Sequence, residues 1–176
     1  SLNFKIEFIY QNIKYKNCDY AEDIRIALRN REKIRKILDK FRTKPLEKNW
    51  FPLNIYCKKC KKDTINVLSY DEEYSVVYKC ECGYTDKLDF RKDGNVNLPW
   101  RIDWPMRWNY EQVNFEPGGK DHSTPGGSYS TGVEISKEIW NRNPPTYQVY
   151  DFVIIKESGG KMSSSSGDVI KPKDVL

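Results

Sequence analysis

Four of the five cysteines in this 176-residue chain fall into two short pairs, Cys57-Lys58-Lys59-Cys60 and Cys80-Glu81-Cys82-Gly83. A Cys-x-x-Cys turn lets two thiolates converge on one ion, and a second close pair on a facing hairpin completes a tetrahedron. The nineteen residues between the pairs suit a zinc ribbon. Disulfides and a redox Cys-x-x-Cys are the other readings of the same residues. A reducing compartment disfavours the first, and the second leaves one pair idle. Structural zinc held by Cys57, Cys60, Cys80 and Cys82 is therefore expected. With no acid beside the cluster to activate a water, the site should be closed rather than catalytic. The flanking lysines Lys58, Lys59, Lys61 and Lys62 are expected to lower the thiol pKa values. Cys18 stands apart and reads as an ordinary small residue.

Around the cysteines, INVLSY, YSVVYK and YTDKLDF are β-rich runs separated by acidic or glycine turns, a pattern for a small antiparallel sheet between Ile55 and Phe90. Before them, Asn3 to Tyr10 alternates as a strand does. Asp19 and Glu22 form an acidic capping box. Ile24, Leu28, Ile34, Leu38 and Phe41 then recur at helical spacing, which predicts one amphipathic helix of about six turns. After a turn at residues 92–95 come an aromatic segment, LPWRIDWPMRWNY, and a glycine-rich one, FEPGGKDHSTPGGSYSTG. A helix is predicted from Val133 to Asn141 and a buried strand from Tyr147 to Lys156.

The net charge of +5 is unevenly spread. Residues 25–62 hold fourteen Lys/Arg against three Asp/Glu, while the remainder is mildly acidic. Such a basic stretch suggests a polyanion contact, RNA rather than DNA, through Arg25, Arg29, Lys33, Lys36 and Lys40. A solvated helix face explains those five residues equally well. No run of eighteen apolar residues is present, so no membrane span or membrane partner is expected. No charged-then-apolar leader opens the chain, and a cytoplasmic location is expected.

Near the end of the sequence, GGKMSSSSGDVI places a single lysine on a run of glycine and serine. The segment Lys161 to Ser165, KMSSS, resembles the KMSKS loop of class I aminoacyl-tRNA synthetases. Together with DWPMRW, FEPGGKDHSTPGGSYSTG, PLEKNWFPL and the CKKC…CEC pairs, in this order, it is similar to the class I lysyl-tRNA synthetase family over essentially the whole chain. The resemblance implies an α/β fold, the C-terminal part of a Rossmann-type (HUP) catalytic domain with an inserted α+β zinc-ribbon-like subdomain. Residues 1–18 would be a strand and connection from the catalytic domain. Residues 19–98 would be the basic helix and the zinc insertion against the tRNA acceptor stem. Residues 99–176 would form the second half of the nucleotide fold, with the KMSKS-like loop at 161–165.

The implied activity is adenylation of L-lysine by ATP with Mg²⁺, then transfer to tRNA. In adenylation the carboxylate attacks the α-phosphate and pyrophosphate leaves, so alignment and charge neutralisation matter more than a general base. On that resemblance Lys161 is the catalytic cation for the leaving phosphates, with Met162 and Ser163 beside it. Gly118, Gly119 and Asp121 of GGKDH are expected at the ATP ribose. Trp100, Asp103, Trp104, His122 and Tyr150 are expected on the lysine side, where an ammonium needs a carboxylate and aromatic faces. The tryptophans read equally well as core, Trp108 above all.

Two departures temper the family pattern. No HIGH-like motif is present and the C-terminal helical region is missing, so an internal piece, inactive by itself, is expected. Ser164 also stands where the second lysine of KMSKS would be, leaving one loop cation. A free-standing zinc-ribbon RNA-binding module and a glutamyl-type enzyme using Arg107 are the competing readings.

Overall fold

The computed structural model describes residues 5–151, and everything structural below concerns those residues. Three short helices come first: α1 (Gln11–Lys16), α2 (Ala21–Arg29) and α3 (Arg31–Asp39). Strand β1 (Asn54–Ile55) pairs antiparallel with β5 (Val96–Asn97). Between them β2 (Ile65–Tyr70), β3 (Ser75–Cys80) and β4 (Thr85–Asp89) form an antiparallel meander with β3 central. Helices α4 (Trp100–Tyr110) and α5 (Ser128–Trp140) alternate with the parallel pair β6 (Phe115–Gly119) and β7 (Thr146–Tyr150), and residues 120–122 add a single 3₁₀ turn. This is a mixed α/β chain.

The meander agrees with the β-rich runs read from the sequence. Its one irregularity is a bulge: Val67 faces Tyr78 and Ser69 faces Val77, so Leu68 is left unpaired and half exposed. A single core joins the parts. Ile24, Leu28, Ile34 and Leu38 of α2 and α3 share one buried cluster with Val76, Tyr78 and Leu88 of the meander and with Ile102, Met106 and Ile135 of α4 and α5. Among the described residues no helix is long and apolar enough to cross a membrane.

Four expectations change. The six-turn helix is two helices, because the backbone leaves helical geometry at Asn30 (φ −102°, ψ 14°), whose side-chain amide donates to the Ile26 carbonyl. Asparagine competes for backbone partners in this way. The capping box does not form: Asp19 pairs with Lys14, and Tyr20 sits at the N-cap without a side-chain bond. Residues 5–10 are not a strand; no described strand lies beside them, and Ile6 and Phe8 are about 70% exposed. β7 is exposed rather than buried, since β6 is its sole neighbour among the described residues. Residues 152–156 of that predicted strand lie outside the described range.

Helix α4 and strand β6 are findings with no counterpart in the sequence reading. α4 buries Ile102, Asp103, Trp104, Pro105, Met106 and Trp108, covering nearly its whole circumference, so no amphipathic stripe marks it. Pro105 inside it would ordinarily argue against a helix. β6, FEPGG, carries the residues least typical of strands. α5 starts five residues before the predicted Val133, and ends where Asn141 adopts the left-handed conformation.

Asp23 is buried between α2 and α5, where its carboxylate accepts the Trp140 indole N–H at 2.8 Å. Burial pushes its pKa up to about 6, against the pull of that hydrogen bond. A carboxyl raised in the folded state favours folding most when protonated, so stability falls as pH rises from about 4 to about 6. Asp23→Asn retains an acceptor without the charge. It should flatten this dependence and raise stability at pH 7 by on the order of 2 kcal/mol, measured by urea unfolding at pH 5 and pH 7.

Candidate metal centre and aromatic crevice

The cysteine pairs meet at the end of the meander. Cys57 and Cys60 lie on the turn after β1; Cys80 ends β3 and Cys82 lies on the turn before β4. The first turn closes through the Lys61 N–H to the Cys57 carbonyl, with Lys61 left-handed at φ 65°. The second closes through the Gly83 N–H to the Cys80 carbonyl. All four sulfurs lie within 4.8 Å of one another, with Cys57–Cys82 at 3.8 Å and Cys60–Cys80 at 3.5 Å. A tetrahedron with metal–sulfur bonds of about 2.3 Å has edges of about 3.8 Å. The donor set therefore fits a four-coordinate metal ion, with Cys18 outside it.

The thiol electrostatics differ from the sequence expectation. The Cys80 thiol is pulled down to about 7, first by the Cys82 backbone N–H and then, against burial, by the three neighbouring thiols. The lysines act elsewhere: Lys58 bridges Asp86 and Asp93 at 3.0 and 2.9 Å, and Lys61 donates to the Lys58 carbonyl.

A second constellation lies on α4. Trp104, 5% exposed, stacks on Trp100 (centroids 4.9 Å apart) and meets His122 edge-on at 5.6 Å. Trp100 is half exposed, while Trp108 is fully buried and donates its indole N–H to Glu116. The rings continue through Tyr129 to Tyr147, stacked at 3.8 Å. Asp103 is buried with both oxygens engaged: it accepts the Tyr15 hydroxyl at 2.5 Å and Arg107 Nε at 2.8 Å. Burial and the Asp103 charge push the Tyr15 phenol up, which keeps it a donor. Arg107 also lies over the Trp100 ring, so its guanidinium is committed to α4 itself.

The carboxyl end of β6, beside that of β7, leads into the turn that carries His122 to this ring cluster. Gly119 pairs with Tyr150 at that end. The next residues are Lys120, whose ammonium reaches Asp151 at 2.7 Å, exposed Asp121, and His122, whose Nδ1 lies 2.8 Å from Ser128 Oγ at the start of α5. Carboxyl ends of parallel strands, beside a helix N-terminus, are where ligands of α/β sheets bind. Gly118 and Gly119 are buried, and what a Cβ there would meet is the Tyr147 ring and the Asp121 carboxylate. Tyr150, more than half exposed, ends β7 at this edge. Lys161, Met162 and Ser163 lie outside the described residues.

The five basic helix residues divide. Arg25 bonds Glu22 and Glu73, Arg29 bonds Glu73 and the Glu72 carbonyl, and Lys40 bonds Glu134. Lys33 and Lys36 are exposed, and neither is among the described ion pairs. Opposite charges on the 71–74 turn and α5, far away in sequence, neutralise what composition alone counted as free.

The family model for "tRNA synthetases class I (K)" matches residues 1–176. Over 170 residues the chain is 52% identical to a lysine–tRNA ligase of Borrelia garinii, covering 97% of this chain and 32% of that protein. The lysine–tRNA ligase of Pyrococcus horikoshii is 43% identical over 178 residues, 99% of this chain and 34% of its own length. That of Methanocaldococcus jannaschii is 48% identical over 164 residues, with 91% and 31% covered. The chain thus spans about a third of the length of these curated relatives.

Gly118→Ala places a methyl 2.2 Å from the Tyr147 hydroxyl, which donates to the Gly119 carbonyl while its ring stacks on Tyr129. Both contacts must give way. Chemical denaturation should show a loss of about 1–3 kcal/mol.

Proposed function

This chain belongs to the class I lysyl-tRNA synthetase family, and from that premise we propose that it is the insertion and second half of the catalytic domain of a lysine–tRNA ligase. The whole enzyme would join L-lysine to AMP from ATP, release pyrophosphate, and transfer the lysyl group to tRNA. The observation that carries this reading is the parallel β6–α5–β7 unit, whose carboxyl edge gathers Asp121, His122 and the start of α5 beside a wall of tryptophan. Residues 99–176 are read as part of a Rossmann-type nucleotide fold, residues 19–98 as the inserted zinc-binding subdomain, and residues 1–18 as the connection to the rest of the catalytic domain.

Each residue then has a role. Asp121 accepts hydrogen bonds from ribose hydroxyls, with the backbone of Gly118 and Gly119 beside it. Lys161, on the Gly/Ser-rich loop with Met162 and Ser163, neutralises the departing β/γ-phosphates. Mg²⁺ bound with ATP shares that charge. Trp104, Trp100, His122 and Tyr150 shape the lysine pocket, while Asp103, its charge already met by Arg107, serves to fix α4 and with it Trp104. Tyr15 and Arg107 hold that carboxylate in place, and Arg107, committed to it, is a poor receptor for a glutamate side chain. Lys33 and Lys36 would contact the acceptor stem. Zinc on Cys57, Cys60, Cys80 and Cys82 would fix the two turns, in a cytoplasm reducing enough to keep all four thiols available.

Lysine-dependent ATP–pyrophosphate exchange by the longer polypeptide that carries this chain tests the reading. Lys161→Ala should lower exchange by about 10²–10³-fold, and Asp121→Ala should lower kcat/KM for ATP by about 10–100-fold. Exchange with glutamate in place of lysine, or with neither, overturns the assignment. Independently, metal analysis of freshly reduced protein should find close to one zinc per chain. Chelation should expose the amides of β2–β4 to hydrogen exchange before those of α4 and α5; absence of zinc rejects the metal.

A further inference from the structure

On the far side of the Cys57–Cys60 turn lies an open cleft of about 640 Å³, between α1 and the turn at residues 92–95. Its walls touch closely: a Cβ on Gly94 would fall 2.5 Å from the Lys16 Cα, so the two segments are held backbone to backbone. Four lysines line it, Lys16, Lys58, Lys61 and Lys92, against one carboxylate, Asp93. Lys58 neutralises that carboxylate. Lys16, Lys61 and Lys92 have no carboxylate partner among the described ion pairs, although Lys61 also donates to the Lys58 carbonyl. At the mouth stands Tyr56, 42% exposed. Its backbone N–H donates to the Asn95 carbonyl at 2.8 Å and its carbonyl accepts the Asn95 side-chain amide at 2.6 Å, which fixes the residue bearing the ring.

We propose that this cleft binds an unpaired stretch of RNA, one base stacking on Tyr56 while Lys16, Lys61 and Lys92 hold the flanking phosphates. An exposed aromatic ring on a pinned backbone, beside several ammonium groups without a carboxylate partner, is the chemistry that holds single strands without reading their sequence. A compact acidic peptide would use the lysines and leave the ring idle. The choice of RNA rests on the synthetase reading, which makes RNA the polyanion this chain meets. The cleft is separate from Lys33 and Lys36, and the residues at the carboxyl edge of β6 and β7 do not line it.

The test is fluorescence anisotropy of the zinc-loaded chain with a labelled six-nucleotide single-stranded RNA, over a range of salt. Lys16→Ala/Lys92→Ala should weaken binding and reduce the slope of log K against log salt by about 1.4, two phosphates at about 0.7 each. Tyr56→Leu should weaken binding about tenfold or more with the slope unchanged. Unaltered affinity and slope in both variants overturns the cleft, as does hexaglutamate displacing the RNA at equal concentration. In the longer polypeptide these variants should leave lysine-dependent exchange intact; its loss would place the cleft in the adenylation site and overturn the proposal. Exchange failing in the unsubstituted polypeptide, while RNA binding responds as expected, brings down the synthetase reading alone.

Discussion

Helix α4 has no free side. Ile102 and Met106 enter the core shared with α2, α3 and the meander; Trp104 and Trp108 face α5 and the tyrosines; Asp103 reaches back to Tyr15 of α1. The buried polar side chains along the middle of α4 have to be satisfied internally. Asp103 does so with two donors and the Trp108 indole with Glu116. The same packing that joins α4 to the meander core and to the β6–α5–β7 unit also fixes the position of the stacked tryptophans. A change in the core beneath Met106 is thus a change in the position of Trp104.

The electrostatic pattern follows a comparable division. Arginines serve the fold: Arg25, Arg29 and Arg31 clamp α2 and α3 to the 71–74 turn of the meander through Glu72 and Glu73; Arg25 also lies over Tyr74, and Arg31 over Phe51 and Tyr70. Planar guanidinium groups suit such shared ion-pair and ring contacts. Lysines are left for the outside. Individual exposed ion pairs contribute little, yet this set removes positive charge from one helix face and leaves it on Lys33, Lys36 and the cleft beside the cysteines.

The four-cysteine cluster was legible because its chemistry is written in spacing: two short cysteine pairs admit few geometries, and the β-rich runs between them already supplied the facing hairpin. α4 was not legible, because a helix buried all round has no stripe and Pro105 contradicts it locally. β6 was hidden for a related reason, since a parallel strand of Pro and Gly residues is defined by its partner, Tyr147 to Tyr150, thirty residues on. The break at Asn30 escaped notice because both halves of the stripe stay on one face across it.

By itself the sequence determined the two cysteine pairs as candidate metal ligands, the antiparallel meander, the excess of basic charge in residues 25–62 and the family resemblance. These are properties of residue type and near-neighbour spacing. Only the tertiary structure decided which charges remain available, that Asp103 is held by Tyr15 and Arg107, and that Tyr56 and three lysines share a cleft. Tyr15 lies 88 positions from Asp103 and Arg29 lies 44 from Glu73, and a linear pattern carries no record of which distant partner will arrive beside a residue.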